Sequence, residues 1–182
     1  MKELSLNILD ITENSVKAGA TLTEIFLTEG EGKLTIAIRD NGSGMSPEVL
    51  RSVSDPFYTT RTTRRVGLGI PLLTLAAEQT GGGVTITSHQ RSEEDPTSGT
   101  EVCARFFTSH IDCPPLGDIV STVVTLIQGH PDRDFLFRHT KVGGCIELDT
   151  RELRAVLEDV PLSSFEVLEW IRENLTEQYQ SI

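Results

Sequence analysis

Asp10, Asn14 and Lys17 are separated by four and then three residues. On a helix, at about 100° per residue, they fall within roughly 60° of arc on one face. That face presents a carboxylate, a neutral oxygen ligand and a cation together. Mg²⁺ takes hard oxygen ligands and usually keeps water and phosphate oxygens in its shell, so an Asn side chain beside phosphates suits it. A carboxylate one turn away can orient or deprotonate an attacking hydroxyl. Taken alone, the same three residues also describe the solvated face of an amphipathic helix.

Two glycine-punctuated segments add to this. Asp40-Asn41-Gly42-Ser43-Gly44 is a D-x-G-x-G loop at the end of an alternating segment. A carboxylate there can accept a hydrogen bond from an exocyclic amino group such as that of adenine. The glycines let backbone approach a flat ring. Gly67-Leu68-Gly69-Ile70-Pro71 follows a run containing Arg61, Arg64 and Arg65. Glycine-rich backbone feeding a helix N-terminus offers N–H groups and a positive dipole end to phosphate. The arginines add charge-assisted donors. Singly, these are a common D-G turn and a flexible basic loop.

These residues need elements to position them. Glu3 to Ala18 has helical period, with Leu4, Ile8 and Ile11 on one stripe and Gly19 as its stop. Thr23 to Thr28 and the alternating Leu34, Ile36 and Ile38 predict two strands joined by a hairpin at Glu29-Gly30-Glu31-Gly32. Ser46-Pro47-Glu48 opens a helix, with Ser46 as cap. Residues 55–69 have no apolar period and read as a mobile loop. Ile70 to Thr80 is a helix, Val84 to Ser88 a strand, and Thr100 to Phe107 another. The order predicts an α/β sandwich, a mixed sheet with helices packed on one face.

Beyond about Ser109 the character changes, and Pro114-Pro115 marks a boundary. The reading there is a helix over 118–128, a strand pair over 134–149, and helices over 150–157 and 163–178, the first capped by Thr150. The expected organisation is residues 1–109 as one domain and 110–182 as a small α+β appendage. That tail holds 13 of the 27 acidic residues and 6 of the 16 basic ones, so it is expected to present an acidic surface.

The formal charge of -11 argues against a general nucleic-acid or anionic-membrane binder. No stretch approaches the roughly 20 apolar residues of a membrane helix, and the N-terminus lacks the apolar core of a signal peptide. The expected location is the cytoplasm. Cys103, Cys113 and Cys145 are odd in number and lack C-x-x-C spacing, so neither a disulfide framework nor a zinc site is expected.

The order of the segments is more specific than any one of them. Leu9 to Thr21 contains E-N-S-x-x-A-G-A-T, and Asp40 to Met45 the D-x-G-x-G loop. Asp55 to Arg61 reads D-P-F-Y-T-T-R, Gly67 to Pro71 supplies G-L-G, and Ser98-Gly99-Thr100 precedes a strand. This five-part order resembles the GHKL superfamily, the Bergerat-fold ATPases and kinases that include histidine kinases, gyrase, MutL and Hsp90. The likeness covers about residues 3–108. The first segment resembles the N box of MutL proteins. The third and fourth resemble the F box and second glycine box of histidine kinases.

The resemblance implies ATP or ADP as ligand with Mg²⁺. It makes Asn14 the Mg²⁺ ligand and Asp40 the adenine anchor. Gly42 and Gly44 shape the adenine pocket, with Met45 near the base. It sends Lys17 to a phosphate and assigns Thr60, Arg61, Gly67, Leu68, Gly69 and Ile70 to the ATP lid and its edges. Thr100 falls beside Asp40. The family's general base is usually a Glu four residues before the Asn. Here that position is Asp10, one methylene shorter; Glu13 ranks second and lies off the Asn14 face. None of the histidines His89, His110, His130 and His139 has the setting of a phosphoacceptor. The resemblance therefore implies a stand-alone kinase-like protein that acts on or regulates a partner protein. Its alternatives are a nucleotide-gated interaction module or a slow MutL-like ATPase.

Overall fold

The computed structural model describes residues 3–54, 69–90 and 97–182. Helix α1 (Leu4–Lys17) is followed by strands β1 (Leu22–Gly30) and β2 (Lys33–Asp40), then by α2 (Pro47–Ser54) and α3 (Gly69–Gln79). Strands β3 (Gly83–His89) and β4 (Gly99–Phe107) come next. They are followed by α4 (Ile119–Gly129), β5 (Asp134–Lys141), β6 (Gly144–Asp149), α5 (Thr150–Leu157) and α6 (Phe165–Gln180). The strands make one open mixed sheet in the order β3-β4-β2-β1-β5-β6.

The period-2 pattern of the hairpin places Ile25 and Leu27 of β1, and Leu34, Ile36 and Ile38 of β2, in the core. Glu31 and Gly32 both have positive φ, at 51° and 71°. That is a two-residue turn whose twist matches the strands it joins. Leu4, Ile8 and Ile11 of α1 pack on this face, with Leu73 and Ala77 of α3 beside them. Each fully buried Leu, Ile or Phe side chain contributes about 1.5–3 kcal/mol.

Residues after Ser109 build onto the same sheet and the same core. β5 runs parallel to β1, with Ile25 opposite Phe137, and β6 pairs antiparallel outside it. α4 forms the crossover from β4 to β5, and its Val123, Leu126 and Ile127 join the core cluster of α1. The 115–116 segment also completes α1. No side chain caps that helix, and its Leu4 and Ser5 N–H groups donate to the carbonyls of Pro115 and Leu116 at 3.0 and 2.8 Å. Thr150, expected as the cap of α5, is instead its first residue. Asp149 caps the helix by accepting the Arg151 N–H at 2.9 Å, while the Thr150 hydroxyl serves the Phe135 N–H and Asp134.

The free edge of β6 is partly closed from α6. The Gln178 amide accepts the Glu147 N–H at 2.8 Å and donates to its carbonyl at 3.1 Å. This removes a pairing site from an edge strand. No helix among the described residues is long and apolar enough to cross a membrane.

Candidate functional site

A cleft at these motifs lies between α1, the end of β2 and the start of α3. It encloses about 200 Å³. Asn14, Asp40, Gly44, Met45, Ile70 and Thr100 line it, and Ile11, Ser15, Ala18, Val53 and Val102 complete the walls. Most of this lining is apolar, which suits the faces of a flat ring. Asp40 is the one carboxylate among the residues that line it.

Asp40 closes β2, where it sits opposite Thr23 on one side and Thr100 on the other. Its Oδ1 accepts the Gly42 N–H at 2.9 Å and the Thr100 N–H at 3.2 Å. Its Oδ2 accepts the Ser15 hydroxyl at 2.7 Å. An ionised carboxylate has about four acceptor positions. Three are filled by the protein, and the remaining one is on Oδ2, beside Ser15. The group is thus oriented on both oxygens with a single acceptor left for a ligand.

The loop after Asp40 is fixed from several directions. The Asn41 side chain accepts the Thr21 and Leu22 N–H groups at 2.9 and 3.0 Å. The Met45 N–H donates to Ser88 Oγ at 2.8 Å, and that hydroxyl also lies 2.8 Å from Thr100 Oγ1. Gly44 has φ of 67°, and a Cβ there would stand 1.9 Å from the His89 carbonyl oxygen. Only glycine satisfies both constraints.

Asp10 and Gly69 face each other where α3 begins. A Cβ on Gly69 would lie 3.0 Å from the Asp10 Cβ. The N-terminal turn of α3, whose N–H groups favour anions, is therefore held close to the helix that carries Asn14. Lys17 is exposed in the last turn of α1 and does not line the cleft. Glu13, the second-ranked base, is instead paired with His130, its Oε1 lying 2.7 Å from Nε2. Thr60, Arg61, Gly67 and Leu68, with the whole of the expected F-box segment, lie outside the described residues.

No cluster of three or more His, Cys, Asp or Glu able to hold a metal occurs among the described residues. What the cleft itself offers a cation is the Asn14 side chain; Asp10, one turn before it, is exposed and does not line the cleft. Those hard oxygen donors fit Mg²⁺ shared with phosphate oxygens and water, and do not amount to an all-protein cage.

Ser15, Val53 and Ser88 were not singled out from sequence. Ser15 carried a usable signal, because it lies four residues after Ile11 on the inward stripe of α1. Val53 and Ser88 carried none, since their place depends on helix docking and strand register.

A family model described as histidine kinase-, DNA gyrase B-, and HSP90-like ATPase matches residues 2–110. Sporulation kinase A of Bacillus subtilis (strain 168) is 28% identical over 89 residues, which is 49% of this chain and 14% of that protein. Sensor protein SrrB of Staphylococcus aureus (strain NCTC 8325 / PS 47) is 30% identical over 93 residues, or 48% of this chain and 16% of that protein. Both likenesses thus span a small part of the longer proteins. Among solved structures, the Aquifex aeolicus MutL ATPase domain complexed with ADP superposes with a TM-score of 0.55 at 13% identity. It covers 97% of this chain and 70% of that one.

Proposed function

Given that the chain belongs to the histidine kinase-, DNA gyrase B- and HSP90-like ATPase family, we propose that it binds Mg·ATP in the cleft and acts on or regulates a partner protein. The observation that carries the nucleotide reading is Asp40, oriented through both oxygens and left with one acceptor position beside an apolar slot. That position suits the exocyclic amine of adenine. Met45, Ile70 and Val102 supply the apolar contacts of the ring.

In this reading Asn14 holds Mg²⁺ through its side-chain oxygen. The bound ion would neutralise phosphate charge. The start of α3 offers N–H groups to the phosphates, and Gly69 lets that turn approach α1. Asp10, one turn before Asn14, would accept a proton from, or orient, an attacking hydroxyl, a role assigned on the resemblance. Lys17, exposed in the last turn of α1 and outside the cleft lining, is assigned to a phosphate on the resemblance alone. Thr60, Arg61, Gly67 and Leu68 are assigned to the lid on the resemblance alone.

A second reading is favoured by one feature. Asp10 is a methylene shorter than the glutamate usual at this position, and a reach error of about 1 Å costs a large factor in rate. In that reading nucleotide gates an interaction without phosphoryl transfer. The fate of γ-labelled ATP separates the two, measured with wild type, Asn14→Ala and Asp10→Asn in a lysate of the source organism. Label on a discrete protein, lost in both variants, supports the kinase. Tight binding with all label retained on ATP overturns it and leaves the switch.

A further inference from the structure

A second cleft, of about 520 Å³, runs between α5 and α6 on the part of the chain farthest along the sequence from the nucleotide motifs. Leu153, Val156 and Leu157 line it from α5, at i, i+3 and i+4. Glu166, Val167 and Trp170 line it from α6. Val156 is 81% exposed and Trp170 48% exposed. Phe165, one residue before Glu166, is 73% exposed.

Leu153 and Leu157 pack in part against the core, while Val156 of the same stripe is left exposed. Thr150 is the only residue of α5 that is buried. The helix is also tied down by polar contacts at its base, where Arg154 donates to Asp134 and to the carbonyls of Pro131 and Arg133. The trough between two helices has the shape that accepts a third helix, through anchors at i, i+3 and i+4.

The charge around the trough selects its occupant. Residues 150–182 carry seven acidic and three basic side chains. Each of the three arginines is already engaged: Arg151 with Asp149, Arg154 with Asp134, and Arg172 with Ser121 Oγ. Glu152, Glu166 and Glu169 are exposed beside the apolar residues. A second copy of this chain docked by the same face would set acid against acid. A helix with apolar anchors flanked by Lys or Arg meets both requirements.

We propose that the α5–α6 groove docks a basic amphipathic helix of a partner protein. Its apolar side chains seat against Val156 and Trp170, and its cations face the acidic rim. The proposal does not depend on the nucleotide reading.

Trp170 is the only tryptophan, so its fluorescence reports the groove. The probe is a tryptophan-free helical peptide of Leu and Lys, with a Leu/Glu peptide of equal length as control. The expected result is a saturable blue shift with one Lys peptide per chain and none with the Glu peptide. Val156→Glu, at an exposed position, makes the chain more acidic but blocks the groove. It is expected to weaken Lys-peptide binding by about tenfold or more, with an unchanged circular dichroism spectrum. Unchanged or tighter binding in Val156→Glu means attraction by net charge alone and overturns the proposal. So does equal binding of both peptides, or no binding at all. Sedimentation of the wild type as a dimer that Val156→Glu dissociates makes a second copy the occupant, and overturns it as well.

Discussion

The Ser15 hydroxyl donates to Asp40 Oδ2 at 2.7 Å, joining the helix that carries Asn14 to the strand end that carries the carboxylate. Ser15 is 4% exposed, and the hydrogen bond is partly buried in the cleft wall. It holds the oxygen that keeps the one unfilled acceptor position, on a residue that lines the cleft. Ser15→Ala keeps the fold and frees that oxygen to turn. The expected loss is about 1–2 kcal/mol in nucleotide binding, roughly 5–30-fold in Kd. Titration calorimetry with ADP checks it, and an unchanged Kd would mean that the Gly42 and Thr100 N–H groups orient the carboxylate unaided.

β1 is flanked by β2 and β5, and α1 receives its first two backbone acceptors from Pro115 and Leu116. Ending the chain at Ser109 therefore bares one edge of β1 and uncovers Ile8 and Ile25, both wholly buried. The truncated chain is expected to lose cooperative thermal unfolding and to bind a hydrophobic dye. A sharp melt with retained nucleotide binding would instead make residues 1–109 autonomous.

His139 is fully buried between Tyr179, whose hydroxyl lies 2.7 Å from Nδ1, and Glu29, whose carboxylate lies 3.0 Å from Nε2. Burial pushes its pKa below the usual 6.5. Lys141 adds to the shift and Glu29 opposes it. The folded chain thus resists protonation that the unfolded chain accepts below about pH 6.5. The contribution is absent at higher pH, and stability falls as pH drops from that value toward the depressed folded pKa. Tm is expected to decline between about pH 7 and pH 5.5, and His139→Gln is expected to flatten that decline. An equal slope in the variant would assign the decline to other groups.

Much of the site was legible because it rests on local spacing. The helical face of Asn14 and the D-x-G-x-G loop are short-range patterns, and the structure sets Asn14 and the loop into one cleft while Asp10 and Lys17 of that face stay outside its lining. The partners that orient Asp40 were harder to read. Thr100 meets it only through the β2–β4 register, and Ser88 reaches Met45 only because β3 pairs beyond β4. Pro114-Pro115 read as a boundary because proline breaks elements. In the fold the carbonyls of Pro115 and Leu116 complete α1, a use that leaves no periodic trace. The parallel pairing of β5 with β1 is likewise non-local, since strands so distant in sequence carry no turn signal between them.

Asp40→Asn tests the central claim most directly. The amide keeps an oxygen for the Gly42 and Thr100 N–H groups but turns a donor toward the cleft. Binding of ATP and of inosine triphosphate, which carries a carbonyl where ATP has its exocyclic amine, is measured for wild type and variant. The account predicts that wild type prefers ATP by about 10-fold or more, and that Asp40→Asn loses both ATP affinity and the preference. Equal binding of the two nucleotides by wild type, or ATP binding undiminished in Asp40→Asn, would contradict it.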